Sequence, residues 1–182
     1  MKIAIAGAHG VGKTTLAKKL AKILDLPLIS EVAREVAREY GFETTEQIQK
    51  ANLFDRNLFQ NAIHIQQIKA EMQHECGFVS DRSILDCVAY CYLYGMPDYY
   101  VETLRKEALK HSEEYAVIVY CPIPEVPVED DGFRLVDKAS QQFIDEAIRA
   151  LLKNAECPVL RLGTDRDKWL WQVLDEVKGE VA

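Results

Sequence analysis

The sequence predicts an α/β fold, a three-layer, doubly wound parallel sheet of about five strands carrying a lid loop. Three observations lead there. Short apolar runs alternate with segments of helical periodicity, as expected of strands buried on both faces and joined by helical crossovers. The first run is followed at once by a glycine-rich string and then by a helical pattern. The length, 182 residues, suits one domain over 1–182, because a chain of this size buries roughly 70% of the surface that its unfolded form exposes.

The strands are expected at Ile3–Ala6, Leu26–Ile29, Phe78–Ser80, Tyr115–Tyr120 and Pro158–Leu162. Leu16, Leu20 and Ile23/Leu24 recur at helical spacing and predict a helix over Lys13–Leu24. A second, Glu31–Tyr40, stops at Gly41, a natural C-terminal cap. Thr44/Thr45 then cap one long helix over 45–75, with Ile48, Ala51, Leu58, Ala62, Ile65 and Met72 as its buried stripe and Asp55 interrupting it. Helices over 84–94 and 98–111 precede the fourth strand. The segment Cys121–Leu135 is rich in proline and acid, so it reads as a long surface loop, with lid bounds near 122–136. A helix over 138–154, the last strand and a helix from about 165 complete the order.

Composition narrows the function classes. The chain is 48% hydrophobic and 28% charged, which fits a globular protein. Its net charge of −7 offers no Lys/Arg excess, so nucleic acid is not expected as a partner. The apolar runs fall far short of the ~20 residues that a membrane span requires. MKIAIAGAHG lacks the long apolar region of a secretory signal, so a soluble, cytoplasmic protein without a membrane partner is expected. The five cysteines form no CxxC pair, and the four histidines show no ligand spacing. Cys87 and Cys91 share a helix face without further ligands nearby and read as packing thiols.

Directly after the first strand stands Gly7-Ala8-His9-Gly10-Val11-Gly12-Lys13-Thr14, followed by Thr15. This is Gly-x4-Gly-Lys-Thr, the Walker A string, in its required place between strand and helix. Gly7, Gly10 and Gly12 allow the backbone to curl until successive N–H groups face one anion at a helix N-terminus. In this pattern Lys13 meets the β/γ-phosphates, the Thr14 hydroxyl ligates Mg²⁺, and Gly7 to Thr15 bind ATP. The string resembles that of the P-loop NTPase superfamily, which implies a central first strand with others on both sides. No Asn/Thr-Lys-x-Asp guanine signature is present; Thr164–Asp167 comes nearest and lacks the lysine.

The third strand runs into Asp81-Arg82-Ser83-Ile84-Leu85-Asp86-Cys87-Val88-Ala89-Tyr90. This resembles the Asp-Arg motif of thymidylate and deoxynucleoside kinases, and that of an AAA group containing ribosylnicotinamide kinases. Ligands sit at the C-terminal edge of a parallel sheet, so Asp81 is placed to hold Mg²⁺ and Arg82 to grip a phosphate. A capping Asp followed by a surface Arg is the plainer reading. The resemblance implies that Glu31, at the end of the second strand, accepts the proton of the attacking hydroxyl, although the proline usual after it is absent. Arg34 would then neutralise the acceptor or the reacting phosphate. Glu31, Arg34 and Arg38 equally fit exposed Glu–Arg pairs on one helix face.

A kinase lid supplies arginine over the transferring phosphate and excludes water. Arg134 is the one cation in the lid loop, and it also suffices to balance Asp130 and Asp131. By analogy, Phe54, Arg56, Phe59 and Gln60 are candidates for lining an acceptor pocket; helix packing and surface exposure account for them as well. The expected function is an ATP- and Mg²⁺-dependent kinase acting on a nucleoside, nucleotide or ribosylnicotinamide-like acceptor. Lys13, Glu31, Arg82 and Arg134 form its catalytic set, Arg34 assists at the substrate, and a homodimer is compatible with it. The rival class is a regulatory ATPase with no small-molecule acceptor. A polynucleotide kinase is disfavoured by the acidic composition.

Overall fold

The computed structural model describes residues 1–124 and 138–179. Its sheet contains β1 (Lys2–Ala6), β2 (Leu28–Ile29), β3 (Phe78–Ser80), β4 (Val117–Tyr120) and β5 (Val159–Arg161), all parallel, in the order β2-β3-β1-β4-β5. β1 is central, with Ile3 paired to Val79 on one side and Val117 on the other. Its Ile3, Ala4, Ile5 and Ala6 have no exposed surface, which is why the run is uniformly apolar.

The helices are α1 (Lys13–Leu24), α2 (Val32–Glu39), α3 (Thr45–Lys50), α4 (Leu53–Met72), α5 (Ile84–Leu93), α6 (Asp98–Ser112), α7 (Lys138–Leu152) and α8 (Trp169–Gly179). α1 packs beside α8, whereas α5 lies among α4, α6 and α7. The predicted α/β architecture and central first strand are therefore observed. Cys87, Cys91, Cys121 and Cys157 are buried, and burial pushes their thiols up, to about 12 for Cys91 and Cys121. No helix among the described residues is long and apolar enough to cross a membrane. The lid segment and Arg134 lie outside the described residues.

One expectation fails. The single helix over 45–75 is two helices, because Ala51 and Asn52 adopt extended backbone. Asn52 accepts the N–H of Asp55 at 3.0 Å and so starts α4 afresh. The expected stripe on α4 is also corrected. Leu58, Ile65 and Met72 are exposed, while the buried face carries Phe59, Gln60, Ile63, His64, Gln67 and Glu71.

On that face Gln67 and Glu71 are satisfied by partners from other elements. Gln67 donates to Ser80 Oγ at 2.9 Å and to Glu71 Oε1 at 2.7 Å. The Tyr115 hydroxyl donates to Glu71 at 2.9 Å and accepts the Ile84 N–H at 3.1 Å. His111 Nε2 lies 2.7 Å from Glu71 Oε2, and that hydrogen bond raises the pKa of the imidazole. The network holds the end of β3 and the first residue of α5, on either side of Asp81–Ser83. Tyr115→Phe is expected to leave the Ile84 N–H and a Glu71 oxygen short of a partner, lowering stability by about 1–3 kcal/mol. A urea midpoint that does not move would remove the network from the account of stability.

Candidate functional site

The loop after β1 curls as its glycines permit. Gly7, Gly10 and Gly12 have φ of +147°, +74° and +110°. At Gly7 a Cβ would come within 2.5 Å of the Cys121 carbonyl oxygen, so the position needs glycine for space as well as conformation. The Ala8, His9 and Val11 side chains are buried, leaving their backbone to face any ligand, and Thr15 is exposed on the first turn of α1. His9 Nδ1 lies 3.3 Å from the Tyr90 hydroxyl, and its carbonyl accepts from Gln141 at 2.8 Å.

Lys13 is 5% exposed, and its ammonium donates to the carbonyls of Gly7 at 2.8 Å and Ala8 at 2.6 Å. Burial, then the Arg82 charge, push its pKa down to about 8, against the pull of Asp86, Asp81 and Glu31. The Thr14 hydroxyl donates to Asp81 Oδ2 at 2.6 Å. Burial raises the pKa of Asp81, opposed by Lys13 and the Thr14 hydrogen bond. These two oxygens suit Mg²⁺, a hard cation that takes one or two protein oxygens and fills its octahedron with phosphate and water.

The capping reading of Asp81 is not what the fold uses. Ser83 is the N-cap of α5, with Asp86 closing a capping box. Arg82 is likewise no surface residue, at 7% exposure. Its Nε donates to Glu31 Oε1 at 2.9 Å and its Nη2 pairs with the same oxygen. Its Nη1 lies 3.8 Å from Asp86, and its guanidinium sits over the Tyr90 ring, 4.9 Å from the centroid. Arg82 has φ of +157°, which a side chain disfavours and these contacts hold in place. Arg34 Nε donates to the other Glu31 oxygen at 2.9 Å, so two guanidiniums grip one carboxylate at the N-cap of α2.

Two clefts meet at Glu31. One, of about 60 Å³, is walled by Ile48, Phe59, Ile63, Tyr90 and Tyr94, with Gln60, His9, Thr45, Glu31 and Arg82 among its polar groups. The other, open and of about 530 Å³, brings Thr14 and Asp81 together with Lys18, Arg34 and Arg38. Of the candidate lining residues, Phe59 and Gln60 are in place, whereas Phe54 is 70% exposed and Arg56 lines neither cleft. Asp86, which stands in the Asp-Arg motif with no evident role in the sequence, is fully buried and accepts the Gly7 N–H at 3.1 Å. Its spacing from Ser83 and Arg82 was the available signal. Among the described residues, no group of three or more His, Cys, Asp or Glu is placed to hold a metal.

A phosphate cradle after the central strand, facing a carboxylate at the end of its neighbour, defines a P-loop NTPase with a kinase-like fold. Residues 2–168 match AAA_28, described as an AAA domain, and the chain belongs to that family. The fold resembles deoxyadenosine kinase from M. mycoides with bound dCTP, at 16% identity and TM-score 0.70, covering 98% of this chain and 100% of that one. NadR in complex with NR is similar at 21% identity and TM-score 0.69, over 97% of this chain and 50% of NadR. Cytidylate kinase from Pyrobaculum calidifontis is 44% identical over 46 residues, 24% of this chain. The match thus spans about a quarter of the length of the curated relatives.

Gly7→Ala is expected to destabilise the protein by about 1–3 kcal/mol or more through backbone strain and the Cys121 clash. Calorimetry would detect this as a lowered melting temperature; an unchanged one would mean that the cradle is not held in this conformation.

Proposed function

We propose that the protein is an ATP- and Mg²⁺-dependent kinase that passes the γ-phosphate to a nucleoside, nucleotide or ribosylnicotinamide-like acceptor. One observation carries the reading: the apolar cleft ends at Glu31 and Arg82, beside the cleft that holds Thr14 and Asp81. A switch ATPase needs the cradle but has no use for an aromatic cleft opening onto it. Support also comes from the similar proteins, NadR in complex with NR and the cytidylate kinase from Pyrobaculum.

In this reading the backbone N–H groups from Gly10 to Thr15 bind the triphosphate, and Lys13 exchanges its carbonyl partners for phosphate oxygens. Phosphate contact favours the charge that burial disfavours on Lys13. Thr14 and Asp81 would hold Mg²⁺, which would neutralise phosphate charge when bound. Phe59, Tyr90 and Tyr94 exclude water from the acceptor, and Gln60 orients it. Glu31 accepts the hydrogen bond of the acceptor hydroxyl and takes its proton. Two guanidiniums, Arg34 and Arg82, hold that carboxylate in place for the transfer. The role of Arg134 over the transferring phosphate rests on its place in the loop sequence.

A screen of nucleosides, nucleoside monophosphates and nicotinamide riboside with γ-labelled ATP tests the reading. A labelled small molecule is expected; phosphate release that depends on a protein partner, with no labelled acceptor, would favour the regulatory ATPase. Asp81→Asn should raise the Mg²⁺ concentration for half-maximal rate by about 10-fold or more, and an unchanged requirement would remove Asp81 from the metal. For a hydroxyl acceptor, Glu31→Gln should lower single-turnover transfer by about 10²–10⁴-fold at unchanged ATP affinity. For a monophosphate acceptor the loss should fall mainly on acceptor KM. If neither quantity moves, Glu31 has no part in the reaction.

A further inference from the structure

His9 belongs to two sites at once. Its backbone is part of the phosphate loop, between Gly7 and Gly12, whereas its imidazole lines the apolar cleft. The loop requires nothing of this side chain. In Gly-x4-Gly-Lys-Thr the third position is open to any residue, because backbone N–H groups make the phosphate contacts. Burying an imidazole costs more than burying an apolar side chain unless its nitrogens find partners. A histidine only 4% exposed, on the wall of a cleft, therefore calls for a reason.

The ring is held as a binding group needs to be held. Its Nδ1 lies 3.3 Å from the Tyr90 hydroxyl, and the His9 carbonyl accepts from the buried Gln141 of α7 at 2.8 Å. Ring and backbone are thus both fixed. The Arg82 charge stands over the Tyr90 ring and favours a phenol whose proton points away from it, toward His9. Tyr90 then donates to Nδ1, and the hydrogen of the neutral imidazole resides on Nε2. His9 is a donor that adds no charge to the cleft.

Its place in the loop decides what it meets. The reacting oxygen of an acceptor must approach the γ-phosphate, and that phosphate lies on the loop that carries His9. The part of the acceptor beside His9 is therefore the part next to the reacting oxygen. In a nucleoside, a nucleotide or a ribosylnicotinamide this part is the sugar, which leaves the planar ring to Ile48, Phe59 and Tyr94. We propose that His9 is a specificity-determining residue that donates a hydrogen bond from Nε2 to a hydroxyl of the acceptor's sugar. The inference rests on the kinase reading and deepens it: the cleft selects a hydroxylated sugar as well as a ring.

The test pairs each acceptor labelled in the γ-labelled ATP screen with its analogue lacking the 2′- and 3′-hydroxyls. In the unaltered protein the analogue should lose about 10–100-fold in kcat/KM. His9→Leu should lose a similar factor on the hydroxylated acceptor and nothing further on the analogue, because residue and hydroxyl form one contact. ATP affinity, set by the loop backbone, is the control. Two further variants separate contact from packing, and they decide the matter should His9→Leu fail to fold. His9→Gln places an amide N–H near the position of Nε2 and should keep the preference for the hydroxylated acceptor. His9→Asn reaches only the position of Nδ1, so it should keep the Tyr90 contact and lose the preference. Additive losses in His9→Leu, equal behaviour of the Gln and Asn variants, or no preference in the unaltered protein would each overturn the contact while the kinase reading stands. If the screen labels no acceptor, the kinase reading falls and this contact falls with it.

Discussion

A buried guanidinium organises the functional end of this molecule. Removing the Arg82 charge from water is expensive unless carboxylates and a ring face surround it. Glu31, Asp86 and Tyr90 do so, and each is thereby placed. Glu31 joins the end of β2 to the end of β3. Asp86, drawn into the interior, also caps α5 and accepts the N–H of Gly7. One cation thus ties the end of β2, the Asp-Arg turn and the first residue of the Walker A loop into a single polar unit. Loss of Arg82 would leave Asp86 buried without its cation and Glu31 held by Arg34 alone.

The turn that carries Asp81 and Arg82 is also held from behind. Ser80, just before it, receives the Gln67 amide, and the N–H of Ile84, just after Ser83, reaches the Tyr115 hydroxyl. Glu71 links these two supports. Positioned groups of this kind need little reorganisation when charge moves, which is where electrostatic stabilisation gains its strength. The chain's net charge of −7 is no obstacle to anion binding, because Lys13, Arg34 and Arg82 are concentrated at the sheet's C-terminal edge.

What could be read from the sequence follows how locally each feature is determined. The cradle is specified by consecutive residues, so Gly7 to Thr15 were recognisable before any fold. The apolar runs likewise yielded the strands, because burial on both faces leaves few polar positions in the central ones. Asp86 went unrecognised because its partner Gly7 lies 79 positions away, and the burial of Arg82 depends on Glu31, 51 positions distant. The break between α3 and α4 was missed for a different reason. Asn52 is tolerable inside a helix, and only its bond to the Asp55 N–H shows that it begins one.

The apolar stripe of α4 illustrates a deeper limit of pattern reading. Leu58, Ile65 and Met72 do recur at helical spacing, and assigning them to the protein's own core followed from that spacing alone. The core instead took the face bearing Gln60, His64, Gln67 and Glu71, since Ser80, Tyr115 and His111 satisfy much of its polarity. Periodicity reports that a face favours burial; it does not say against which surface. When the interior of one chain is closed by a polar network on the opposite face, the apolar stripe still carries its unfavourable contact with water.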